Sequence, residues 1–133
     1  MSYLLDTHYL IWAIADSKKI SKKIRDLISD AEQEIFVSAI SLWEVSLKAS
    51  LGKMNISGFR PEDIPAICQS IGFAIIELSA MDSSSYHQLK ASHHKDPFDR
   101  MLIWQAIRNG YTLISADEQL SKYRSEGLNI LVR

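Results

Sequence analysis

Four short stretches set carboxylates beside hydroxyls, histidines or bases: Asp6-Thr7-His8, Ser41-Leu42-Trp43-Glu44, Asp96-Pro97-Phe98-Asp99-Arg100 and Ser115-Ala116-Asp117. Each acid has a local reading. Ser41 and Glu44 match a capping box, Asp96 before Pro97 makes an N-cap and N1 pair, and Asp117 can cap the last helix; the helix macrodipole favours acids at all of these places. Asp6 is the acid that capping explains least, because it ends an apolar strand. The collective reading is chemical. If Asp6, Glu44, Asp99 and Asp117 converge, two carboxylates about 4 Å apart repel by about 4 kcal/mol at an effective dielectric near 20, and a divalent cation is the simplest relief. All-oxygen ligation favours Mg²⁺ or Mn²⁺ over zinc, which prefers histidine and thiolate ligands. Thr7 and Ser115 offer hydroxyls that can fix a water or a phosphate oxygen, or else bond the local backbone. His93 and His94 precede the Pro97 helix in an expected exposed loop. A surface or substrate-contacting role suits them better than ligation, since zinc-type histidine pairs favour i, i+4 spacing on a helix. His8 is read with the same caution.

Convergence depends on the elements that carry these residues. Apolar β-rich runs at 3–6, 34–39, 73–78, 111–116 and 128–132 predict strands. Apolar spacings of three and four predict helices at 8–15, 20–30, 41–51, 62–71, 82–91, 97–109 and 117–124, with Gly72 and Gly110 placed as C-caps. Alternating strands and helices imply an α/β fold of three α/β/α layers with a mostly parallel five-stranded sheet. In such sheets the active crevice lies beyond the strands' carboxyl ends. Asp6 and Asp117 follow strands directly, and Glu44 lies in the first turn of a helix that follows one. Asp99 opens a crossover helix running antiparallel to its strands, so it returns to the same edge.

The 133 residues suit one domain, 1–133, and 47% hydrophobic with 23% charged residues are ordinary globular proportions. A formal net charge of −1 provides no global basic field for nucleic acid, so any such partner must meet a local patch. The basic run KKISKKIR at 18–25 reads as a solvated helix face with Ile20 and Ile24 turned inward. Cys68, the single cysteine, is expected to be a small buried hydrophobe. No apolar run approaches the roughly 20 residues of a membrane span, and MSYLLDTHYL lacks the features of a signal peptide, so a cytoplasmic protein is expected. GKMNISGFRP at 52–61 is the most loop-like connection and an expected exposed clip. Tyr9, Trp12, Trp43, Leu47, Leu51 and Met54 form a stripe that is mostly core; any exposed part would suit a partner helix or a second protomer.

Four blocks in order, YLLDTHYLIWAI, SAISLWEVSLKASLGKM, HHKDPFDRMLIWQAI and LISADEQLSKY, resemble the PIN-domain nucleases, and within them the VapC-type toxins of bacterial toxin–antitoxin pairs. The resemblance places the family's acidic quartet on Asp6, Glu44, Asp99 and Asp117, with Asp96 an additional acid. Ser115 stands where many relatives have threonine. It implies a metal-dependent endonuclease, usually acting on RNA, with a small antitoxin as neutralising partner and frequent homodimers. On that reading Asp6 and Asp99 are the principal Mg²⁺ ligands, Glu44 and Asp117 complete the pocket, and either of these two accepts the water proton. Arg100, Lys48 and Lys95 are candidate phosphate clamps, or ordinary cations balancing the acids. The alternatives are a non-catalytic PIN scaffold that binds RNA or protein, and a Mg²⁺-dependent phosphoacceptor module. The second fits poorly, because no strand places an aspartate and a lysine as receiver domains do.

Overall fold

A computed structural model describes residues 1–132. Along them run β1 (Ser2–Leu5), α1 (Thr7–Ala15), α2 (Lys22–Ser29), β2 (Glu34–Ser38), α3 (Ala39–Ser50), α4 (Ile64–Ser70), β3 (Ala74–Ile76), α5 (Ala80–Ser85), α6 (Pro97–Asn109), β4 (Thr112–Ser115), a 3₁₀ helix (Glu118–Glu126) and β5 (Asn129–Val132). Among the described residues the strands form one five-stranded, wholly parallel sheet in the order β3-β2-β1-β4-β5. The chain steps outward from β1 through β2 to β3, then returns to the other side of β1 for β4 and β5. With right-handed crossovers, that reversal sends the two sets of helices to opposite faces and opens a crevice between the carboxyl ends of β1 and β4.

Strand alternation divides the core accordingly. Tyr3, Leu5, Ile35, Val37 and Ile114 point into one buried cluster with Tyr9, Leu10, Ile24, Val45, Ile64 and Cys68 from α1 to α4. Leu4 and Leu113 point into the other, with Leu102, Ile103, Trp104 and Ala106 of α6 and Leu120 and Tyr123 of the 3₁₀ helix. A sheet buried on both faces explains why its strands read as continuous apolar runs. The result is the three-layer α/β/α architecture expected from the sequence.

Several local expectations change. α3 starts at Ala39, not residue 41: Ser38 is its N-cap, accepting from the Ile40 N–H at 3.0 Å, and Ser41 is buried inside the helix. The capping box at Ser41–Glu44 is therefore not formed. The helix expected over 82–91 is only α5, followed by a 3₁₀ turn at Tyr86–Gln88. Its serines bond backward to carbonyls, Ser83 to Ser79 and Ser85 to Met81, a competition that weakens helices. The last helix is 3₁₀ throughout rather than α. In the connection over 52–61, Met54, Ile56 and Phe59 pack against the first core while Lys53, Asn55 and Ser57 stay exposed.

The apolar stripe divides. Tyr9 is core, Trp12 and Met54 are partly buried, and Trp43, Leu47 and Leu51 are exposed along α3. Ile20 and Ile24 are buried with the surrounding lysines outside, and Cys68 is buried. Among the described residues no helix is long and apolar enough to cross a membrane.

Candidate active site

At the end of β1 the chain turns directly into α1. The Asp6 N–H donates to the Ile114 carbonyl of β4 at 3.0 Å, and its carboxylate caps α1 by accepting from the Tyr9 N–H at 2.8 Å. Asp6 is therefore a cap as well as an edge acid. Capping reaches the acid it was expected to explain least because strand and helix abut without a loop. Ser115 closes β4 beside it. Its hydroxyl oxygen accepts from the Asp117 N–H at 3.0 Å and its proton is available to the Asp6 carboxylate. Asp6, His8, Asp99, Ser115 and Asp117 line one cavity of ≈ 100 Å³, floored by Leu102, Leu113 and Leu120.

Asp99 reaches this cavity through its helix start. Asp96 Oδ1 accepts from the N–H groups of Phe98 and Asp99 at 2.8 and 3.2 Å, and Pro97 opens α6. Among the described residues no donor reaches the Asp99 carboxylate. Burial, then the negative charges of Asp96, Glu44 and Asp6, push its pKa up to about 6, against a smaller lowering by His94. Burial also raises Asp6, although Ser115, the Tyr9 N–H and His8 partly offset it. These two acids are ionised at a cost.

Glu44 stands behind the wall, 4% exposed. Thr7 Oγ1 lies 2.6 Å from its Oε1 and 3.0 Å from Ser41 Oγ, and Lys48 Nζ lies 2.5 Å from its Oε2. That bond, outweighing desolvation and assisted by the charges of Glu44, Asp96 and Asp99, raises the lysine's pKa and keeps it cationic. Asp117 at the rim is 44% exposed at its side chain. Its Oδ1 caps the 3₁₀ helix through the Gln119 N–H at 2.9 Å, and its Oδ2 lies 2.6 Å from His94 Nε2. Burial raises its pKa, but the His94 bond, the Gln119 N–H and the imidazole's charge together lower it.

His94 is thus tucked in although its loop neighbours His93 and Lys95 are exposed. Its ring is only 10% exposed, with Nδ1 3.3 Å from Tyr123 Oη, and the backbone N–H of His94 donates to the same oxygen at 3.0 Å. Arg100 and Glu126 hold the loop that carries it. The guanidinium donates to the carbonyls of Leu89 and Ala91 and to Tyr86 Oη, and the Glu126 carboxylate accepts from the N–H groups of Lys90 and Ala91. Arg100 therefore pins a loop, and its nitrogens are not free for the phosphate-clamp role expected of it. Lys95 is exposed without a partner among the described residues, and His93 is exposed with its ring edge-on to Tyr123 at 5.2 Å. The surface role expected of His94 overlooked its contacts with Tyr123 and Asp117, which lie 29 and 23 residues away with no spacing rule to link them.

Asp6, Glu44 and Asp117 each lean on partners of their own, and among the described residues no three His, Cys, Asp or Glu groups already stand together as an ion's ligands. The fit to a cation is carried by two of them. Asp6 and Asp99 are hard oxygen donors on one small cavity, and nearby positive charge would reverse the penalty each pays on ionising. Mg²⁺ suits such a pair, since it binds through one or two carboxylates and keeps several of its waters.

The chain is 26% identical over 125 residues to Ribonuclease VapC22 of Mycobacterium tuberculosis, covering 91% of both chains. Among solved structures it resembles VapBC2 of Rickettsia felis bound to a DNA fragment from their promoter, with TM-score 0.72 at 20% identity over 99% of this chain and 98% of that one. VapBC-1 of nontypeable Haemophilus influenzae gives a TM-score of 0.70 at 18% identity with the same coverage. At such identities these structures speak for the fold. The PIN domain model matches residues 3–126, a span that holds every acid of the cavity and the strand ends that present them; the chain belongs to the PIN-domain family.

Proposed function

We propose that this chain is a Mg²⁺-dependent endoribonuclease, with Mn²⁺ able to substitute, and that it is the toxin of a bacterial toxin–antitoxin pair. The observation that carries the reading is the Asp6–Asp99 couple: two partly buried, like-charged carboxylates at the β1/β4 crevice, both held at raised pKa. The ribonuclease name of the M. tuberculosis relative favours RNA as substrate. The VapBC complexes among the structural neighbours favour a small antitoxin as partner. Residues 1–133 act as one nuclease domain in the cytoplasm and pair as a homodimer, and the exposed Trp43, Leu47 and Leu51 give the partners an apolar face to cover.

Asp6 and Asp99 hold the ion. When bound, it supplies Lewis acidity at a phosphoryl oxygen and a lowered pKa for the attacking water. Ser115 and the Tyr9 N–H fix the Asp6 rotamer, and the Asp96 cap fixes the helix turn that aims Asp99. Glu44 is enclosed by Thr7 and Lys48, so of the two supporting acids it is Asp117 that meets solvent. Asp117 Oδ2 with His94 Nε2 takes the proton leaving the water. Lys95 and Lys48 contact substrate phosphate.

The test is cleavage of a single-stranded RNA and of the same sequence as DNA, with Mg²⁺, with Mn²⁺ and with EDTA. Asp6→Asn and Asp99→Asn should each lower the RNA cleavage rate by at least a hundredfold. Cleavage that survives both substitutions, or that persists in EDTA, overturns the assignment. Asparagine remains a good N-cap, so lost activity in Asp6→Asn is not lost folding.

A further inference from the structure

We propose that Lys48 stands in for a second cation, so that the site takes one divalent ion rather than two; the inference rests on the metal-dependent reading above. A pair of ions 3.5–4 Å apart is the common arrangement for in-line phosphoryl displacement, and it needs carboxylate oxygens for both ions. Of the two supporting acids, Asp117 has its oxygens on the Gln119 N–H and His94 Nε2, which leaves Glu44 to serve the second. Its Oε1 is taken by Thr7 at 2.6 Å and its Oε2 by Lys48 at 2.5 Å, all inside a helix face where Glu44 is 4% exposed. Both oxygens of this acid are thus engaged by neighbours.

The placement of Lys48 is built into α3. Glu44 and Lys48 are four residues apart, the orientation that best pairs glutamate with lysine on a helix. Thr7 at the start of α1 and Ser41 one turn earlier on α3 hold the glutamate from the other side. Lys48 keeps 33% of its side chain exposed, and its charge reaches Asp96 and Asp99 at the α6 start. An ammonium carries three donors, and one is spent on Glu44; the others can meet a phosphate oxygen.

The Lys48 charge offsets that of Glu44. Asp117, at the rim, is open to water and held by His94. Lysine then does without coordination chemistry what a second ion would do: it places fixed positive charge beside the phosphate.

The test counts Mn²⁺ bound to the full chain at pH 7 by isothermal titration calorimetry and by the free-Mn²⁺ electron paramagnetic resonance signal. The expected result is one equivalent for the wild type and for Lys48→Arg, and two for Lys48→Met and Lys48→Gln. Thermal melts in EDTA identify which variants are folded, and the wild-type count stands without any of them. Two equivalents in the wild type or in Lys48→Arg, or one in every protein, overturns the inference and leaves the metal-dependent reading intact. No binding in the wild type overturns both.

Discussion

At Asp99 a carboxyl group meets burial and three neighbouring carboxylates with, among the described residues, no hydrogen-bond donor to offset them, which is why its pKa rises to about 6. Asp117, a few side chains away, goes the other way because His94 and a backbone N–H support its charge. The contrast separates an acid waiting for a cation from one already served. It also has a thermodynamic sign. With its folded pKa above the ordinary value of 3.8, Asp99 binds more protons in the native state than in the unfolded one between about pH 4 and 6. Stability then falls as pH rises through that window and levels off above it, the reverse of a salt-bridged aspartate. Urea denaturation in EDTA should therefore show a higher midpoint at pH 5 than at pH 7. Asp99→Asn should flatten that difference and raise the midpoint at pH 7. A midpoint lower in the variant than in the wild type at pH 7 would show that Asp99 is not electrostatically strained.

Among the helices and strands, capping and chemistry use the same residues. Asp6 caps α1, Asp96 caps α6 and Asp117 caps the closing 3₁₀ helix, each at the carboxyl edge of the sheet. Asp96 is the clearest division of labour, because its Oδ1 is spent on the Phe98 and Asp99 N–H groups. Asp96→Ala should cost about 1 kcal/mol in a denaturant titration, the usual value for a lost cap, while part of the cleavage activity remains. Full loss of cleavage at unchanged stability would assign Asp96 to the chemistry instead. α6 was legible to its limits, 97–109, since Asp-Pro opens it and Gly110 at φ 74 closes it in the left-handed region that glycine adopts freely. The start of α3 was not, because Ser38 and Ser41 are both capable caps and only the end of β2 chooses between them. His94 was less legible still. Its position depends on Tyr123, on Arg100 and on Glu126, and these contacts exist only once the 3₁₀ helix is packed under the loop.

For the molecule as a whole, the sheet order turns these local facts into a site. Strand identity and parallel direction were readable from apolar runs separated by helical periods, and that sufficed to place the acids at one edge. The reversal of the chain between β1 and β4 was not readable, since the apolar strands are alike in kind; yet it is this reversal that puts Asp6 beside Ser115 and opens the cavity. A fold that gathers negative charge at such a crevice carries a built-in destabilisation that a ligand of opposite sign relieves. An ion binding only the native state stabilises by RT ln(1 + [L]/Kd), about 2.7 kcal/mol at a hundredfold excess over Kd. For a chain of 133 residues that corresponds to a rise of roughly 10 °C in Tm. Calorimetric melts at pH 7 should show that rise with Mg²⁺ or Mn²⁺ and its loss in EDTA. The Asp6→Asn, Asp99→Asn double variant should melt higher than the wild type in EDTA and gain nothing from the ion, since it has lost the repulsion and the ligands together. A double variant that still gains the full shift would place the ion elsewhere on the protein, and one that melts lower in EDTA would mean that the two carboxylates stabilise the fold rather than strain it.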